Sequence, residues 1–179
     1  MTAKVRRLYR RLVAEDVVPR PWSMDEFRRR VDRFRGRTVH LIHQPAEFWV
    51  DGVGCCGLYA MTIATADLDI MIIRDDGPPV WREQCIGHEY GHLLLNHTPR
   101  GMISDAQIRR LFGDDLFTDP AVVRDLLTHT RADLSIDIER EAELFAEMLA
   151  FTPDHAADDR TGLRMRYGFA ARPRRGRWS

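Results

Sequence analysis

The stretch IGHEYGHLLLNH, residues 86–97, places two histidines four apart with a glutamate directly after the first. At about 100° per residue, positions i and i+4 share one helix face, roughly 6 Å apart along the axis. Two imidazoles so placed, His88 and His92, can hold one metal ion through neutral ring nitrogens. Glu89 falls about a quarter turn from His88. It can reach a water on that ion without being forced to bind the ion itself, which is the division of labour that metal-assisted amide hydrolysis requires. The pattern therefore points to one Zn²⁺ per chain, with His88 and His92 as ligands and Glu89 as general base.

A catalytic zinc usually takes three protein ligands and a water, so a third ligand must come from elsewhere. The segment DIEREAELFAEMLA, residues 137–150, offers Glu139, Glu141, Glu143 and Glu147. Read as a helix, its apolar stripe runs through Ile138, Ala142, Phe145, Met148 and Leu149, and only Glu141 falls inside it. A carboxylate on a buried face must be neutralised or paired, and Zn²⁺ is a fitting partner. Glu141 is the expected third ligand and Glu139 the fallback. Glu139, Glu143 and Glu147 are expected together on the solvent side.

These side chains need a scaffold. The motif helix is expected from about Val80 to Asn96, after DDGPP. It is apolar on more than one face, as a buried helix is. Gly91 in mid-helix costs about 1 kcal/mol relative to Ala, which a closely packed neighbour would explain. Upstream, TVHLIH (38–43), GLYAMTIA (57–64) and LDIMIIR (68–74) read as strands. The last of these could offer an edge to an extended peptide. Val5, Leu8, Leu12 and Val13 space helically over 4–15. Ser23 and Glu26 offer a capping box for a helix that Gly36 closes. Further helices are expected at 104–112, 120–129 and 135–150.

The expected fold is α+β, with a small, mainly antiparallel three-stranded sheet packed on the motif helix and on the Glu-bearing helix. N-terminal helices precede it, and the order is the plan of a zincin core. The expected divisions are a basic helical segment (1–37), the metallopeptidase domain (38–150) and a basic, disordered tail (151–179).

At 179 residues with 44% hydrophobic content the chain can close one core. It has no apolar run approaching a membrane span and no secretory h-region at its start, so a cytoplasmic location is expected. Three cysteines, with Cys55 and Cys56 adjacent, make no disulfide framework. Net charge is zero, yet residues 1–37 carry twelve bases against five acids, and 160–179 carry seven bases and no acid. Such ends can touch nucleic acid, dock on the protein's own acidic middle, or stay solvated. No recognition fold accompanies the charge, so sequence-specific nucleic-acid binding is not expected.

HEYGHLLLNH taken together with EREAELFAEMLA resembles the ImmA/IrrE group of zinc metallopeptidases, across about residues 36–150. That group shows His-Glu-x-x-His followed by a hydrophobic-Leu-x-His run, then Glu-Ala-x-x-hydrophobic-Ala on a later helix. The resemblance implies His88, His92 and Glu141 as zinc ligands and Glu89 as general base. It also implies an endopeptidase acting on a specific regulatory protein, such as a helix-turn-helix repressor encoded nearby. Departures are Glu143, where members often carry Asp or Asn, and a loosely matched FTPD after the helix. The other expectation is a toxin-like or regulatory partner protein that keeps the zinc fold and works by binding. Tyr59, His97, His129 and Tyr167 are candidates for stabilising an oxyanion. His97 reads equally well as a cation at a helix C-terminus, and Cys85 reads as a small core residue.

Overall fold

The computed structural model describes residues 2–45, 60–64, 69–97 and 136–151. Two helices come first, α1 (Ala3–Ala14) and α2 (Met24–Arg35). Both are amphipathic and bury Val5 and Leu12, and Met24, Phe27 and Val31, respectively. The α2 boundaries follow from local chemistry. Ser23 Oγ accepts the Glu26 N–H at 3.3 Å, and Gly36 takes φ 66°, the left-handed conformation that closes helices. The Glu26 carboxylate does not return to the cap. It is taken by Arg30, at 2.7 Å, and by Arg29.

The three strands are β1 (Val39–Gln44), β2 (Ala60–Ala64) and β3 (Asp69–Arg74), in spatial order β1-β3-β2. β2 and β3 pair antiparallel, Ala60 opposite Ile73, while β1 and β3 run parallel, Val39 opposite Asp69. The sheet is therefore mixed and not mainly antiparallel. β3 is also the central strand, which corrects the expectation that LDIMIIR offers a free edge. Its burial fits the correction: Asp69 through Ile73 are all buried, as in a strand covered on both faces.

Behind the sheet lies α3 (Pro79–Leu94), which packs on β2 and β3, and against α3 lies α4 (Ile136–Ala150). Pro79 opens α3, where a missing N–H costs nothing. Every residue from Cys85 to Leu93 is buried. From Cys85 to Leu93 the helix is enclosed on all sides, as its composition predicts, while Pro79 and Val80 at its start are exposed.

One apolar core runs through the described residues. It joins Val5, Leu12, Phe27 and Val31 from the first two helices to Met71, Tyr90, Phe145 and Leu149. The first two helices thus share their core with the rest of the described residues. Polar contacts cross the same junction: Asp69, fully buried, is paired with Arg35 and, at 3.3 Å, with Arg37. Arg11, Arg28, Arg29 and Arg30 likewise pair with acids of the N-terminal segment itself. The expected helices at 104–112 and 120–129, and the tail beyond 151, lie outside the described residues.

Candidate metal centre

Helical spacing and burial together bring the two motif histidines into contact, edge to face. The His88 and His92 rings stand 4.7 Å apart, and their Nε2 atoms approach to 2.9 Å. The third group is Glu139, from the first turns of α4. Its Oε2 lies 3.3 Å from His88 Nε2 and its Oε1 lies 3.6 Å from His92 Nε2. Among the described residues these three form a group whose donor atoms could share one metal ion. Donors each about 2.0–2.1 Å from a tetrahedral Zn²⁺ stand about 3.3 Å from one another. The separations here, 2.9, 3.3 and 3.6 Å, bracket that spacing. Two imidazoles and a carboxylate are also a donor set that zinc takes. The residues fit the ion. Burial pushes the Glu139 carboxyl up, but the His88 and His92 ring N–H groups outweigh it and hold the carboxyl well below its ordinary value.

The place expected for Glu141 is thus held by Glu139, and the reason is the face α4 presents. Its buried residues are Ala142, Phe145, Ala146 and Leu149. Small residues make the closest seam. A Cβ added to Gly91 would stand 3.0 Å from the Ala142 Cα and 3.1 Å from its carbonyl oxygen. Glu139 precedes Ala142 by three residues and Ala146 by seven, the spacing of one helix face. A stripe that counts the half-buried Ile138 and Met148 and leaves out Ala146 turns the helix toward Glu141. Glu143 and Glu147 are partly buried and are not members of the group.

Glu141 instead meets His97, whose Nε2 donates to its Oε2 at 3.0 Å. The end of α3 presents His97 there. Asn96 adopts φ 56°, and the His97 N–H returns to the His92 carbonyl at 2.8 Å, the double-bonded left-handed cap that ends many helices. The His97 ring then lies 5.4 Å from that of His92, edge to face. Burial lowers the His97 pKa, against the opposing pull of Glu141. Neither the spacing of the motif nor its helical phase announces this pairing. The only signal was a third histidine five residues after the second.

Glu89 lies beside the group and is buried, with 2% of its surface exposed. Tyr90 turns the other way, edge-on to Phe27 at 5.5 Å. Burial pushes its phenol up to about 12. Cys85 is a buried thiol. Tyr59, His129 and Tyr167 lie outside the described residues.

Comparison of the chain with protein-family models, curated proteins and solved structures gives no match. Among the described residues no helix is long and apolar enough to cross a membrane.

Proposed function

We propose that this chain is a zinc-dependent endopeptidase of the ImmA/IrrE kind, cleaving a specific regulatory protein such as a helix-turn-helix repressor. The observation that carries the reading is the convergence of His88, His92 and Glu139 at metal-ligand spacing, with the buried Glu89 next to them. The zincin-like plan of a sheet behind the motif helix, with a later helix delivering an acid, supports it.

His88, His92 and Glu139 would hold the ion. When bound, it supplies Lewis-acid polarisation of a peptide carbonyl and makes a water easier to deprotonate. Glu89 takes that proton and returns it to the departing amine, and both transfers need a single carboxylate fixed in place. Its burial provides the fixing.

The test is incubation of the purified protein with the regulator encoded beside it, with and without a chelator. Cleavage that the chelator abolishes is the expected result. Glu89→Gln should keep zinc and fold while proteolysis drops by about 10²–10⁴-fold. A Glu89→Gln protein with undiminished biological effect would point to a partner protein that acts by binding.

A further inference from the structure

We propose that the His97–Glu141 pair, joined by Lys4, is a latch that fixes the rotation of the first turns of α4 and thereby presents Glu139 to His88 and His92. The inference rests on reading those three residues as a metal centre.

Two glutamates stand two residues apart on α4, about 200° around its axis. Between them Ala142 meets Gly91 at near-minimum distance. An alanine resting on a glycine sets how close two helices come. It has no long side chain with which to key their rotation. Phe145 and Leu149 key the C-terminal half of α4, where both are buried. Its first turns carry the exposed Ile136, Asp137 and Arg140, and Ile136 is 71% exposed. The orientation of those turns is therefore left to polar contacts on either flank. Glu139 reaches one flank and Glu141 the other.

The Glu141 flank is the better anchored of the two. Its carboxylate is less exposed than that of Glu139, 15% against 33%, and its partner ring belongs to a buried residue held by the α3 cap. Lys4, the only lysine in the chain, adds a third element. Its Nζ donates to the Leu95 carbonyl at 3.0 Å and stands 3.6 Å from Glu141 Oε2. A cation at a helix C-terminus is favoured by the helix dipole. The start of α1, the end of α3 and the second turn of α4 are thus tied at one carboxylate. His97 and Glu141 never need to touch the metal to decide which acid does.

The experiment titrates the metal-stripped full chain with Zn²⁺ or Co²⁺ alone, comparing His97→Ala, Glu141→Ala, Glu141→Gln and the double alanine variant. Each alanine should weaken metal affinity by about 10–100-fold, the range for residues that orient ligands. The double variant should be no worse than either single, because both break one contact. Glu141→Gln should stay within a few-fold of the unmodified chain, since its amide oxygen still accepts from His97. Loss of all binding in Glu141→Gln would make Glu141 a ligand and overturn the proposal, as would unchanged affinity in His97→Ala. Hydrogen exchange in the metal-free protein supplies the independent arm. Amides of 137–142 should exchange faster in both alanine variants than in the unmodified chain, and equal rates would sink the latch. Failure of the unmodified chain to take up either metal would remove the metal centre, and the exchange rates would still decide whether the latch exists.

Discussion

Two imidazole nitrogens 2.9 Å apart can share one hydrogen, one ring donating and the other accepting, or can both turn lone pairs toward a cation. Glu139 completes either arrangement, and this makes its removal informative. Glu139→Gln should lose zinc by elemental analysis, whereas Glu143→Ala should retain it. The acid behaviour of the metal-free protein gives a second readout. A carboxyl held below its ordinary value of 4.5 contributes stability that is present above that value. That contribution is lost as pH falls through the lowered, folded-state value. With chelator present, urea unfolding of the unmodified chain and of Glu139→Gln should differ more at pH 6 than at pH 3. A difference that grew on acidification would contradict the pairing. Of the residues involved, His88, His92 and Glu89 were legible in the sequence because four-residue spacing on a helix is a local property. The choice between Glu139 and Glu141 was not, because it depends on which face of α4 meets α3.

That face is made by small residues, and this is where helices resist reading from sequence. Gly87 and Gly91 on α3 receive Ala146 and Ala142 from α4, and Ala146 is the one that the apolar stripe read from the sequence leaves out. The two glycines should respond differently to alanine. At Gly87 the added methyl would meet Ala146 Cβ and Leu149 Cδ1 at 3.6 Å, ordinary contact. Gly87→Ala should therefore leave the site intact and gain up to about 1 kcal/mol of helix propensity. At Gly91 the methyl would press on the Ala142 backbone at 3.0–3.1 Å. Gly91→Ala should push α4 outward by a few tenths of an ångström, offset its propensity gain and weaken zinc binding. Paired unfolding and metal titrations check both. Capping at Ser23 and Gly36 was readable since each cap is settled within four residues. The parallel pairing of β1 with β3 was not, because strand order is chosen by contacts distant in sequence.

At the scale of the whole molecule, the N-terminal helices are structural members. Val5 and Leu12 are fully buried, and each such side chain contributes about 1.5–3 kcal/mol when removed from water. A chain beginning at residue 38 would expose the surfaces those helices cover and lose the Arg35 and Arg37 partners of Asp69. It should fail to show a cooperative unfolding transition by circular dichroism. In the intact protein, Asp69→Ala should cost about 3–5 kcal/mol, because it removes the buried carboxylate that the largely buried Arg35 and the partly buried Arg37 pair with. Arg11, Arg28, Arg29, Arg30, Arg33, Arg35 and Arg37 pair with acids of this same chain, so self-pairing engages part of the arginine in residues 1–37 that the sequence leaves open between a partner and self-pairing.

The tie between Lys4 and Glu141 also has a temporal meaning. It joins positions at opposite ends of the described chain, so an emerging polypeptide exposes the motif helix well before it makes either carboxylate of α4. During that interval His88, His92 and Glu89 would exist without Glu139, and Lys4 would lack the Glu141 carboxylate. A ribosome-bound fragment halted before residue 139 should retain no zinc under the conditions that load the finished protein. Under the proposed function, the metal centre would in this way be withheld from nascent chains by the order in which the residues are added.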